Sequence, residues 1–336
     1  MLTVLDSLPP GLLEARASDL HALLPGPTLI HLPGRRPAPL LVSVLLHGNE
    51  DTGLSAMQSV LAAYADRELP RALSLFIGNV AAARHGLRRL SDQPDFNRIW
   101  PEPGVDIPGR ESEVVREVLA QMRARNVFAS IDIHNNTGLN PHYACVRRLG
   151  TDFLHLATLF SRVVVYFETP LGTQTGAFAP LCPAVTLECG KPGNIGGETH
   201  AAEFVDAVLH LDHFPTHAVA AHDIDLYRTL GVVRVREAVS FAFDGTPAQL
   251  QFEPDLDRLN FRDLAPGTRL GRVRDCATPV EVLDERGRDI TPEYLQVRAG
   301  ELAVARPAMP AMLTTDSTVI RQDCLCYLME RHPLPR

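Results

Sequence analysis

Up to about residue 225, apolar runs of strand length alternate with stretches whose apolar residues recur at helical spacing. Leu40–Leu46 is almost continuously apolar, which suits a strand covered on both faces. After it, Asp51–Ala65 carries Leu54, Met57, Leu61 and Tyr64 along one helical stripe. The same reading gives strands at Ala72–Val80, Ala129–Ile133, Arg162–Phe167 and Ala184–Leu187, and helices at Glu111–Arg125 and Thr199–Leu211. Residues 1–38 read as a lead-in, with a short helix around Leu12–Leu24 followed by a turn-rich stretch. Alternating buried strands and amphipathic helices predict an α/β fold with a largely parallel sheet and helices on both faces.

Beyond residue 225 the pattern changes to short alternating segments separated by Pro, Gly and Asp: Val232–Val239, Leu270–Val273, Val280–Leu283, Glu301–Val304 and Cys324–Leu328. This predicts a smaller β-rich domain of about 110 residues, and a division into a domain at 1–225 and a second at 226–336.

Composition narrows the class. With 336 residues, 45% hydrophobic and 21% charged, the chain can bury a large core without disulfide staples. A formal net charge of −8 argues mildly against nucleic acid or an anionic membrane as the main partner and leaves room for a locally basic pocket that takes a small anionic substrate; homo-oligomerisation stays open. No run approaches the roughly 18–20 apolar residues that cross a bilayer. The start, with Asp6 and Pro9-Pro10, lacks a basic lead and a continuous apolar stretch, so a cytoplasmic protein without a signal peptide is expected. The six cysteines (145, 182, 189, 276, 324 and 326) form no C-x-x-C pair and read as buried free thiols.

The chemistry gathers where apolar strands end. His47-Gly48-Asn49-Glu50 follows the first run, Asp132 and His134-Asn135-Asn136 close another, and Glu188-Cys189-Gly190 follows a third. In open α/β sheets, ligands bind outside the carboxyl ends of strands. His47 and Glu50 stand one helical turn apart, and His134 would complete two histidines and a glutamate around a catalytic zinc with an open position. Glu188 is then the carboxylate left to take a proton from water. Asp132 would orient the His134 imidazole, or serve the structure alone. H-x-x-E by itself arises often by chance, and a lone His47 reads as a capping or core residue; the combination carries the metal reading. Asp95-Phe96-Asn97-Arg98, preceded by Arg88-Arg89, could hold a substrate carboxylate through Arg and Asn, or form a salt-bridged surface loop.

The runs LLHGNEDTG, NVAAARHGLRRLSDQPDFNRIWP, DIHNN and TLECG, in that order over residues 40–200, resemble the succinylglutamate desuccinylase/aspartoacylase family, a branch of the zinc carboxypeptidase superfamily. The resemblance implies a three-layer α/β/α zinc-carboxypeptidase-like domain, one Zn²⁺ per chain, and hydrolysis of the amide bond of an N-acyl amino acid. It puts His47, Glu50 and His134 on the metal-ligand positions and Glu188 on the general base. It puts Asn97 and Arg98 on the segment that binds the substrate α-carboxylate, with Phe96 where the family has Leu. Arg88 falls on the arginine near the scissile carbonyl, where it would stabilise an oxyanion.

The sequence also departs from the family. The loop from Arg88 to Arg98 is about two residues longer, which leaves Arg89 as an alternative to Arg88, and Asn79 is followed by Val80 rather than Pro. The segment Asn135-Asn136-Thr137-Gly138 differs from the family's better-known members and leaves the acyl group open. Beyond it, His142 and Tyr143 read as substrate-pocket residues or as a strand end packed on the core, and Lys191 as a solvated charge. Three alternatives remain. One is a zinc carboxypeptidase acting on peptide C-termini. Another is a non-catalytic small-molecule-binding homologue, against which an intact Glu188 argues. The last uses Cys189 or Cys145 as a nucleophile, for which the sequence shows no activating arrangement.

Overall fold

The structure, a computed structural model, describes residues 1–274 and 278–334, so Cys276 lies outside the described residues. The chain forms two compact units: Met1–Asn135 with His142–Asp225, and Asn136–Pro141 with Leu226–Leu334.

The first unit is built on strands β1 (Thr3–Leu5), β2 (Thr28–Leu32), β3 (Gly34–Val44), β4 (Leu69–Ile77), β5 (Ala129–His134), β6 (Tyr143–Val146), β7 (Val163–Tyr166) and β8 (Ala184–Glu188). Within this unit they line up as β1-β2-β4-β3-β5-β8-β6-β7. The central pairs β4-β3, β3-β5 and β5-β8 are parallel, while β2-β4 and β6-β8 are antiparallel, so the sheet is mixed but largely parallel. Central strands buried on both faces explain the continuous apolar run at the end of β3.

Helices α1 (Thr52–Ala63), α2 (Val80–Ala83), α3 (Arg110–Ala124), α4 (Thr151–Phe160), α5 (Gln174–Phe178) and α6 (Ile195–His210) complete a three-layer α/β/α arrangement. Val114, Val115, Val118 and Met122 of α3 share a core with Leu41, Phe76, Trp100 and Phe178. On the other face, α1 approaches closely at Gly53, where a Cβ would press on Val44 and Ile133.

The lead-in differs from the sequence expectation. Instead of a helix over Leu12–Leu24 there is a 3₁₀ helix at Ala17–Ala22, and the stretch read as turns supplies β2 and the start of β3. Pro27 and Pro33 bracket β2 and mask it in sequence. Its polar His31 is buried, with Nδ1 at 2.8 Å from Ser74 Oγ and Nε2 at 3.0 Å from Gln121 Oε1, so a histidine sits there at little cost.

The second unit holds β9 (Asp225–Val235), β10 (Phe241–Ala242), β11 (Leu250–Phe252), β12 (Arg269–Val273), β13 (Val280–Leu283), β14 (Leu295–Arg298), β15 (Glu301–Val304), β16 (Met309–Ala311) and β17 (Cys326–Arg331). Strands β13 and β17 pair antiparallel with β9, and β16 with β17; β10-β11-β12-β15-β14 make a separate five-stranded sheet. Val233, Leu250, Leu256, Val282, Leu302 and Leu325 lie in its core. Among the described residues no helix is long and apolar enough to cross a membrane.

Candidate metal centre

Three strand ends in the first unit converge. After Val44 the backbone turns at Leu45, whose φ of 54° lies in the left-handed region, and His47 and Glu50 sit in the turn that precedes α1. That turn is closed by a 3.2 Å bond from the Glu50 N–H to the His47 carbonyl. The two side chains are therefore brought together by a turn rather than by helix, contrary to the helical spacing read from sequence. His134 ends β5, one strand over, and Glu188 ends β8 as its register partner. Residues paired across parallel strands share a face, so Glu188 and His134 project from the same side.

His47, Glu50 and His134 are all buried, and one ligand atom from each lies within 4.8 Å of the others. Both imidazoles turn Nδ1 toward Glu50. His47 Nδ1 is 2.8 Å from Oε1, and His134 Nδ1 is 2.7 Å from Oε2. Both turn Nε2 toward an aspartate: His47 to Asp95 Oδ1 at 2.9 Å, His134 to Asp132 Oδ2 at 2.7 Å. A carboxylate on the far nitrogen of each histidine fixes its tautomer and raises its basicity as a ligand. The donor set fits zinc: two imidazoles and one carboxylate, all buried, each histidine backed by a carboxylate.

Burial would lower the pKa of His134, yet Asp132 and Glu50 outweigh it and hold the imidazole well above its ordinary range. For His47, burial and Arg88 act to lower the pKa, and Glu50 and Asp95 more than offset them. Burial would raise Glu50 and Asp95, but His47 and His134 hold Glu50 below the carboxylate range, and His47 and Arg88 hold Asp95 well below it. This cluster of opposed charges is the environment expected where a dication competes with protons.

No protein-family model matches the sequence, and no curated protein does. Solved structures do match. The succinylglutamate desuccinylase of Chromobacterium violaceum aligns with a TM-score of 0.55 at 17% identity, covering 90% of this chain and 87% of that one. Murine aminoacylase 3 aligns at 0.56 and 16%, covering 89% and 96%. A succinylglutamate desuccinylase/aspartoacylase from Rhodobacter sphaeroides aligns at 0.56 and 14%, covering 90% and 88%. The chain has the succinylglutamate desuccinylase fold.

On that fold, the remaining residues singled out from sequence fall as follows. Arg88 reaches the cluster: its guanidinium binds Asp95 Oδ2 at 2.9 and 3.2 Å and approaches Glu50 Oε1 at 3.6 Å. Arg89 instead donates to the Gln93 carbonyl at 2.8 Å. Asn97 is buried against Asp132 and His134, and Arg98 is half-buried with Nη1 on the Asn97 carbonyl at 2.8 Å.

His142 stacks on Phe160 with ring centroids 6.2 Å apart and lies 5.2 Å from His200, beside Gly190 on the far flank of Glu188. Tyr143 is buried at the start of β6, as a strand end on the core, and Lys191 is exposed. Cys145 and Cys189 have thiols pushed well up by burial and then by Glu188, so they stay neutral and offer no nucleophile.

Two contributors stand inside motifs named from the sequence but are given no role of their own there. Asp95 accepts from His47, from Arg88 and from the Asn97 N–H. Asn135 gathers three strand ends: its N–H donates to Glu50 Oε2 at 3.0 Å, and its amide donates to Thr52 Oγ1 at 2.9 Å and to the Gly190 carbonyl at 2.8 Å. The position of Asn135 directly after a ligand histidine is the one sequence signal that pointed to it.

Proposed function

We propose that this chain is a zinc-dependent amidohydrolase of the succinylglutamate desuccinylase/aspartoacylase family that cleaves an N-acyl amino acid. The observation that carries the reading is the shared orientation of His47 and His134, Nδ1 toward Glu50 and Nε2 toward an aspartate. Support also comes from Glu188 beside His134 at a strand end, and from a fold shared with a desuccinylase and an aminoacylase.

When bound by His47, Glu50 and His134, zinc supplies Lewis-acid polarisation and brings a water toward a pKa of about 7. The protein's own groups do the rest. Glu188 takes the proton of the attacking water and returns it to the leaving amine. Arg88, oriented by Asp95, presents its guanidinium to the carbonyl oxygen as charge develops there. Arg98 pairs with the carboxylate of the amino-acid half, and His142, beside Gly190, would line the space that receives the substrate.

The test is metal content of wild type and His134→Ala, with hydrolysis of a panel of N-acyl amino acids and of C-terminally free peptides in parallel. About one zinc per chain in wild type, lost in the variant, with chelator-sensitive release of the free amino acid, is expected. Cleavage of the peptides alone would make the chain a carboxypeptidase. No zinc and no turnover after zinc addition would end the hydrolase reading.

A further inference from the structure

The Asp95-Phe96-Asn97-Arg98 segment resembles one that grips substrate, and in the structure Asp95 and Asn97 both turn toward the metal-ligand histidines. Phe96 points into the core and is buried, which anchors the segment between its two polar neighbours. On one side of it, Asp95 Oδ1 accepts from His47 Nε2. On the other, the Asn97 amide is committed at both ends. Its Oδ1 accepts the Gln174 backbone N–H at 3.0 Å. A backbone N–H can only donate, so the amide oxygen must face Gln174 and the NH₂ group must face the opposite way. That NH₂ lies 3.2 Å from Asp132 Oδ2 and 3.1 Å from His134 Nε2. Asp132 Oδ2 thus receives Asn97 and His134 together, while Asp132 Oδ1 has no hydrogen-bond partner among the described residues. The charge of this buried carboxylate is held through one oxygen, and Asn97 supplies one of its two donors.

We propose that Asp95 and Asn97 form a clamp behind both imidazoles, so that Asn97 is a positioning residue of the metal centre and does not bind the substrate carboxylate, which falls to Arg98. The inference rests on the metal-site reading above and deepens it. Asp95 sets the ring of His47 directly; Asn97 sets that of His134 through Asp132. Two side chains of one tripeptide thereby fix the direction of both Nδ1 donors.

Zinc dissociation constants, measured by competition with a chromophoric chelator, test this in wild type, Asn97→Ala, Asp132→Asn and the double variant. KM and kcat are measured at saturating zinc on whichever N-acyl amino acid wild type cleaves. The clamp predicts zinc affinity lower by about 10–100-fold in Asn97→Ala. KM should stay within about threefold, and the double variant should lose much less than the product of the two single losses. Asn97→Ser, which keeps a hydrogen-bonding group, gives the same readouts where the alanine variant fails to fold, with an intermediate loss of zinc affinity expected. Unchanged zinc affinity overturns the clamp, and a KM raised tenfold or more in that case returns Asn97 to the substrate carboxylate. A wild-type chain that binds no zinc overturns the metal reading itself and the clamp with it, an outcome distinct from a wild type that binds zinc as tightly as its variants.

Discussion

At the scale of single residues, the site separates groups that hold from the group that reacts. Glu188 is buried beside His134 but is not among the three atoms that converge as ligands. Glu188→Gln should therefore keep its zinc and lose turnover by about 10²–10⁴-fold, the usual weight of a positioned general base. Loss of zinc in this variant would make Glu188 a ligand instead.

The imidazoles make a second prediction. Carboxylates hold the pKa of His134 well above, and that of His47 above, the usual value near 6.5. Protons so held stabilise the zinc-free fold fully below that value, and this support is lost as pH rises through the folded-state pKa. Zinc must displace the same protons, so its binding weakens as pH falls. The gain in Tm on adding zinc to chelator-treated protein should be larger at pH 8 than at pH 6. A gain that is equal or reversed would mean the histidines are not the ligands.

At the scale of elements, the site depends on close approach between connecting turns. Gly48, between the two ligands of the first turn, lies so near α2 that a Cβ there would collide with backbone atoms of Ala82 and Ala83, and its N–H donates to the Arg88 carbonyl at 3.1 Å. Backbone cannot yield as a flexible side chain can. Gly48→Ala should cost about 1–3 kcal/mol in denaturant unfolding, and it should weaken zinc binding because His47 moves with the turn. Normal zinc affinity at reduced stability would show that the turn adjusts without moving His47.

This also explains what the sequence could and could not reveal. His47, Glu50, His134 and Glu188 stand at the ends of buried strands, and a continuous apolar run followed at once by polar groups is a local signal. Asp95 meets His47 across 48 positions from an irregular loop, and no periodicity encodes that. The Asn97 motif could be read, but the direction of its amide depends on Gln174, 77 positions away. Strands β10, β11 and β16 have only two or three residues each, too few for alternation to stand out against their flanking turns, while the five-residue β2 is hidden by its bracketing prolines.

At the scale of the molecule, the chain leaves the first unit one residue after a ligand. Asn135 belongs to that unit, Asn136–Pro141 to the second, and His142 returns to the first. The excursion is held within the second unit by specific bonds. Thr137 Oγ1 meets Thr314 Oγ1 at 2.7 Å, and Asn140 Oδ1 accepts the Met312 N–H at 3.0 Å. Gly138 packs so closely on the Leu313 carbonyl that a side chain there has no room. Segment 311–314 is fixed in turn by buried Asn260, whose amide accepts the Leu313 N–H at 2.8 Å and donates to the Leu313 carbonyl at 2.7 Å. Asn260→Ala strands both backbone groups of Leu313, at roughly 1–3 kcal/mol for each group left unsatisfied. The loss should first appear locally, as faster amide hydrogen exchange at 136–141 and 311–314, while β5 keeps its protection because its ladders to β3 and β8 lie wholly in the first unit. If exchange instead rises equally in β5, the excursion and the strand that carries His134 open as one cooperative element, and a change far along the chain from the ligands would then reach the metal centre through the backbone that His134 and Asn135 share.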